Sequence, residues 1–211
     1  KVEFGKAGLG WGVDAAGGWL VATQDGGVTW ARVTSQPPML LNDVYQFDAN
    51  NWVAVGYYDR LRTDAPRYQR FEAIAYTHDG GKSWSTAAYD AAPDQFGREL
   101  QGVTASDAKT LWAVGTGGTV LRSDDGGAQW KRLQPAGLGW LTDVGFADTQ
   151  RGWAVGMGGV ILATADGGKT WANQASGSKV TLNRLHLIDS KTFWISGTTD
   201  VFLATATGGA P

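Results

Sequence analysis

The chain spells nearly the same eight residues four times: TQDGGVTW (Thr23–Trp30), THDGGKSW (Thr77–Trp84), SDDGGAQW (Ser123–Trp130) and TADGGKTW (Thr164–Trp171). A loop built for one catalytic job has no reason to be copied four times. A loop that closes one unit of a repeated architecture does. The copies also sit inside a longer unit. Ahead of each comes a tryptophan segment: NWVAVG (Asn51–Gly56), LWAVG (Leu111–Gly115), GWAVG (Gly152–Gly156) and, more loosely, GWGVD (Gly10–Asp14). A fifth such segment, FWISG (Phe193–Gly197), precedes no intact box. Further upstream lies a Leu-x-x-apolar segment: LNDVYQFD from Leu41, LQGVTASD from Leu100, LTDVGFAD from Leu141 and LNRLHLID from Leu182. Five units result, at about 1–38, 39–92, 93–138, 139–179 and 180–211, all within one expected domain.

Each part reads as a strand. DVGFAD, GWAVG and GVILATA are short, rich in β-branched and aromatic residues, and bounded by Gly or Asp. None is long enough or periodic enough at 3.6 residues for a helix. The Asp-Gly-Gly of the box supplies the positive φ angles of a tight hairpin turn, and the segment after the box Trp supplies a fourth strand. Four antiparallel strands in units of 41 to 54 residues, measured between box tryptophans, describe the blade of a β-propeller, an all-β fold. A blade cannot bury both faces alone, so Trp11, Trp52, Trp112, Trp153 and Trp194 in one register, and the box tryptophans in the other, are expected to wedge between sheets.

The box residues therefore read as structural. These are Thr23, Asp25, Gly27 and Trp30; Thr77, Asp79, Gly81 and Trp84; Ser123, Asp125, Gly127 and Trp130; Thr164, Asp166, Gly168 and Trp171. The carboxylate and the Thr or Ser hydroxyl hold turn amides, and the tryptophan anchors the turn to the core. Asp43 and Asp143 occupy equivalent positions in their units, as do Asp48, Asp107, Asp148 and Asp189, and that register again points to turn chemistry.

Composition narrows the function. With 18 Lys+Arg against 20 Asp+Glu the net charge is -2, too balanced for a polyanion such as nucleic acid to be gripped by net charge. Cysteine is absent, which removes disulfides and thiolate chemistry. No apolar run reaches the ~18 residues of a membrane span. The two histidines, His78 and His186, have no partner spaced for a metal site. GTGG (Gly115–Gly118) and GMGG (Gly156–Gly159) precede strands rather than helices, so they are not phosphate loops. No cofactor or metal is expected. The chain begins at Lys1, so a targeting segment has been removed or the chain trimmed.

Function is expected where the repeat is broken. The second unit carries about 13 extra residues between its second and third strands, YYDRLRTDAPRYQRF (Tyr57–Phe71). They hold Arg60, Arg62, Arg67 and Arg70, four of ten arginines, among Tyr57, Tyr58 and Tyr68. Arg and Tyr are the residue types that most often anchor protein interfaces; the alternative is a solvated hairpin neutralised by Asp59, Asp64 and Glu72. A smaller insertion, AYDAAPDQFGREL (Ala88–Leu100), lies between units two and three and reads as a spacer.

The box is similar to the Asp-box or BNR repeat of sialidases, some glucanases and sortilin-type receptors. The longer pattern GWAVGMGGVILATADGGKTW resembles the photosystem II assembly/stability factor family over Leu41–Gly209. That resemblance implies a non-enzymatic, usually seven-bladed propeller outside the cytoplasm (periplasm, thylakoid lumen or secreted), which binds a membrane-protein complex during assembly. Here the last box decays to TATGGAP (Thr205–Pro211), with Thr207 in place of the Asp, so either a five-bladed ring closes or a larger propeller has lost blades. The runner-up is a secreted glycan-binding or glycoside-hydrolase propeller. A sialidase would need three arginines from different blades and a supporting Glu, whereas Glu occurs only at positions 3, 72 and 99 and the arginines cluster in one insertion. The chain is accordingly expected to lack catalytic residues.

Overall fold

The computed structural model describes residues 2–4, 10–14, 19–33, 35–61, 68–90, 98–133, 139–199 and 202–205. The fold is all-β, its five antiparallel sheets being propeller blades. The chain divides into two compact units, Lys1–Leu100 and Gln101–Pro211.

In the first unit one blade runs in order through β1 (Val2–Phe4), β2 (Gly10–Val13), β3 (Leu20–Thr23) and β4 (Ala31–Arg32). The next runs through β5 (Leu40–Gln46), β6 (Trp52–Leu61), β7 (Tyr68–Thr77) and β8 (Ser85–Thr86), and is followed by β9 (Ala88–Tyr89). The sheets of the second unit begin with β10 (Leu100–Ala105), β11 (Leu111–Gly115), β12 (Thr119–Ser123) and β13 (Gln129–Leu133), successive neighbours in the third sheet. The fourth blade is β14 (Leu141–Phe146), β15 (Gly152–Gly156), β16 (Ile161–Thr164) and β17 (Ala172–Gln174). The last has three strands among the described residues, β18 (Leu182–Leu187), β19 (Phe193–Gly197) and β20 (Phe202–Thr205), so the four-stranded pattern does not hold there.

The second strand of a blade is an inner strand of its sheet, paired along both edges. That is why LWAVG and GWAVG are apolar throughout: all five residues of β11 and of β15 are buried. The closing glycine has its own cause. A Cβ on Gly156 would lie 2.1 Å from the carbonyl oxygen of Trp140, so no other residue lets the first strand enter so close. The cores form where blades stack. Within the first unit, Trp11, Leu20, Leu41, Val44, Trp52 and Ala54 pack together. Within the second, one cluster gathers around Trp112, Leu141 and Leu162, and another around Trp153, Leu182 and Ile195. Each such side chain contributes about 1.5–3 kcal/mol on burial.

Two expectations need correction. The wedge tryptophans neither share one register nor are all wedged: Trp52 faces Gln46 and Thr77 as Gly152 faces Phe146 and Thr164, one residue out of step with Trp153. Trp11, Trp52, Trp112 and Trp153 are at most 9% exposed, but Trp194 is 39% exposed, and the box Trp30 is 37% exposed while Trp130 is buried. Asp43 and Asp143 are not in turns. They lie inside the first strands, fully buried, where Asp143 Oδ1 accepts from Val144 N–H (3.0 Å) and Oδ2 from Leu185 N–H (2.9 Å). Asp143 thus ties β14 to β18 of the following blade. Asp43 accepts from Val44 N–H in the same way (2.9 Å).

Candidate functional site

Each box joins the third and fourth strands of its blade and is closed from within. In the fourth copy, Thr164 Oγ1 donates to Asp166 Oδ1 (2.9 Å) and accepts from Gly168 N–H (2.8 Å). Thr170 then donates to Asp166 twice, from its N–H (2.9 Å) and its hydroxyl (2.6 Å). The same bonds recur around Asp25 and Asp79. In the third box Gln129 replaces the second hydroxyl, and Asp125 takes the N–H groups of Ala128 and Gln129 instead. The first hydroxyl of each box is buried and the carboxylate partly or fully exposed, so the hydroxyl bridges the core to the turn.

These bonds favour the ionised acid. The hydroxyl of Thr29 and then its N–H hold Asp25 at about 2, those of Thr170 hold Asp166 at about 2, and those of Ser83 hold Asp79 well below the ordinary carboxylate range. A carboxylate whose folded pKa is depressed stabilises the fold above its unfolded pKa, here 3.8, and loses that contribution as pH falls through the folded value. The urea midpoint is therefore expected to fall between about pH 4 and pH 2. In Thr170→Val the side-chain carbon-13 titration of Asp166 should move upward, and an unchanged midpoint would disprove the assignment. Chemically, each box carboxylate is engaged by its own turn. Among the described residues no group of three His, Asp or Glu is placed to hold a metal ion.

The interruption in the second blade is a different object. After β11 and β15 the chain turns at once through Thr116–Gly118 and Met157–Gly159. After Gly56 it does not turn. The β6–β7 ladder continues for five more pairs, Tyr57↔Glu72, Tyr58↔Phe71, Asp59↔Arg70, Arg60↔Gln69 and Leu61↔Tyr68. The insertion is thus largely a paired hairpin, because YYDRL and YQRF have the aromatic and alternating character of strands. Tyr58 stacks on Phe71 (5.2 Å, 10°) and is 37% exposed. The Arg70 guanidinium lies over the Tyr57 ring (4.4 Å), 3.6 Å from Asp59, and is paired with Glu99. The hydrogen bond to Glu99, working against partial burial, holds Arg70 above its ordinary pKa.

Tyr57 and Arg70 are therefore brought together on one face of the arm, with Glu99 from the end of the second insertion, while Tyr58 and Phe71 stack on the other face. For Arg60 and Tyr68 the backbone pairing places both near the hairpin tip; Arg62 and Arg67 lie outside the described residues. Sequence reasoning missed the Arg70–Glu99 pair, whose members are 29 residues apart. It also passed over a cavity in the first unit lined by Trp11, Arg32, Gln46 and Trp52. The signal for that cavity was available: Gln46 stands where the fourth unit has Phe146.

A family model described as photosynthesis system II assembly factor YCF48 matches residues 138–211, and a BNR/Asp-box repeat model matches residues 75–86. No curated protein matches. Among solved structures, YCF48 from Cyanidioschyzon merolae shares 16% identity, with 95% of this chain and 80% of that one covered and a TM-score of 0.53. YCF48 bound to D1 peptide shares 18%, over 98% and 78%, at 0.48. An ancestral GH74 enzyme shares 16%, over 95% of this chain but 29% of its own length, at 0.67. At these identities the structures speak for the fold. The chain is an Asp-box repeat propeller that resembles the photosystem II assembly factor.

Proposed function

We propose that this propeller is a non-catalytic protein-binding module, an assembly factor or accessory subunit of a membrane complex outside the cytoplasm, with photosynthetic complexes the first place to look. The observation that carries the reading is the β6–β7 hairpin, which replaces a tight turn with a paired arm bearing Tyr57, Tyr58 and Arg70. A ring stacked on its neighbour and a guanidinium laid over a ring lose little freedom on binding, which suits them as anchors. Two further observations support the reading. The box carboxylates are engaged by their own turns, and the family match over residues 138–211 is to a factor described by its assembly role. The GH74 likeness is one of fold and brings no substrate with it.

Tagged protein should co-purify with membrane-complex subunits from gently solubilised native membranes. The variant with Arg60, Arg62, Arg67 and Arg70 changed to Ala should lose them by about tenfold or more while keeping its thermal transition. Recovery of both forms alone would end the proposal, and retention by a specific glycan would replace it with the glycan-binding reading.

A further inference from the structure

The chain contains four Asp-Gly steps, Asp25–Gly26, Asp79–Gly80, Asp125–Gly126 and Asp166–Gly167, and every one lies inside a box. Asp-Gly is the dipeptide in which an aspartate most readily closes on its own backbone. Glycine has no side chain to shield its nitrogen, and that nitrogen can reach the aspartate Cγ. In three boxes the nitrogen is held alike: Gly80, Gly126 and Gly167 donate to the carbonyls of Asn50, Lys109 and Gln150 at 3.0, 2.9 and 2.9 Å. What differs is the carboxyl. In the first, second and fourth boxes both of its oxygens are held. Oδ1 takes the first hydroxyl, from Thr23, Thr77 or Thr164, and Oδ2 takes the second, from Thr29, Ser83 or Thr170, at 2.6 Å. Hydroxyl bonds to a carboxylate at that length belong to the strong class. In the third box Gln129 stands where the others have Thr or Ser. The bonds to its carboxylate, from Ser123, Ala128 and Gln129, all go to Oδ1, and among the described residues none reaches Oδ2.

Room differs as well. A Cβ on Gly80 would lie 2.9 Å from the carbonyl oxygen of Ala49, and one on Gly167 2.8 Å from that of Thr149, so those turns are crowded. A Cβ on Gly26 or Gly126 meets nothing within 4 Å. The third box is therefore the one that combines a half-held carboxyl with an open turn.

We infer that Asp125 is a site of spontaneous isoaspartate formation, and that the second hydroxyl of the other boxes suppresses the same reaction there. The Gly126 nitrogen attacks Asp125 Cγ and gives up its proton, a carboxyl oxygen leaves as water, and a five-membered succinimide results. Water then adds at the main-chain carbonyl carbon of Asp125, and the bond from that carbon to the Gly126 nitrogen breaks. The chain now runs through Cγ, one methylene longer. One water is released and one consumed, so no other reactant is needed. In the turn, the longer backbone should part Gly127 N–H from Ser123 Oγ (3.0 Å) and its carbonyl from the indole N–H of buried Trp130 (2.8 Å). The site is separate from the β6–β7 arm and does not depend on the protein-binding reading.

The test needs no partner. Folded protein is aged for weeks at neutral pH and physiological temperature, then digested with trypsin, which puts the four Asp-Gly steps in four different peptides. Isoaspartate in each peptide is read by enzymatic methyl transfer and by mass spectrometry. It should accumulate at Asp125 about tenfold faster than at Asp25, Asp79 or Asp166, the scale of one hydrogen bond to a charged group. Gln129→Thr, which supplies the missing hydroxyl, should bring Asp125 down to the rate of the others. Thr29→Gln, in the box whose glycine is equally open, should raise Asp25 to the rate of Asp125 and leave Asp79 and Asp166 unchanged. Equal rates at the four boxes, or an Asp125 rate that ignores Gln129→Thr, overturns the inference. So does a rise at all four boxes together in Thr29→Gln, because unfolding and not the hydroxyl would then set the rate.

Discussion

Gly168→Ala is expected to destabilise the protein by roughly 2–5 kcal/mol, against about 1–2 kcal/mol for Gly126→Ala. Both are box glycines with positive φ, +75° and +82°, so both substitutions carry the left-handed strain of an L side chain. The surroundings differ. A Cβ on Gly168 would lie 2.0 Å from Trp112 Cη2 and under 3 Å from two further ring atoms, while one on Gly126 meets nothing within 4 Å. Trp112 cannot give way, being wholly buried between Phe146 and Trp171. Urea unfolding of the two variants, side by side, reads the difference. Equal losses would show that the glycine is required for its backbone angle alone, and that the box does not wedge against the preceding blade.

Trp112→Ala should cost about 3–5 kcal/mol, the usual range for truncating a large aromatic in a packed core. Trp194→Ala, at the equivalent position of the last blade, should cost about 1 kcal/mol or less. Trp112 is 0% exposed, with Phe146 stacked on it, Trp171 edge-on at 6.1 Å and the Arg122 guanidinium 5.1 Å from its centroid. Trp194 is 39% exposed and touches only rings of its own sheet among the aromatic contacts described, His186 at 5.8 Å and Phe202 at 6.2 Å. A loss at Trp194 as large as that at Trp112 would mean that the last blade is covered in solution by something that buries its aromatic face.

The strands were legible because they are local. LTDVGF, GWAVG and ILAT became β14, β15 and β16 where the apolar runs and their bounding glycines placed them. The box was legible for the same reason, since each bond made by its carboxylate and its first hydroxyl spans four residues or fewer. What failed was whatever a neighbouring blade decides. Whether a wedge tryptophan is buried depends on Phe146 or Phe193, 34 to 40 residues further on, and not on its own segment. Asp143 looked like a turn residue because its bond to Leu185 N–H exists only once two blades are stacked. Gln46 reads as an ordinary polar position until the facing Trp11 is known. At the candidate site, the richness of the insertion in Arg and Tyr was visible. Its continuation as a ladder and the Arg70–Glu99 pair were not.

The self-contained bonding of the boxes bears on how the chain acquires its structure over time. Joining distant segments costs more chain entropy than closing a turn of four residues, and propeller topologies are rich in such distant joins. Four points on this chain can close early, each drawing its third and fourth strands side by side without waiting for any other part of the molecule. The slow step is then left to the apolar faces, which must find one another after the hairpins exist. Substitutions at Asp25, Asp79 or Asp166 should accordingly be felt in the refolding rate, and those at Trp112 or Gly168 chiefly in how fast the finished structure comes apart.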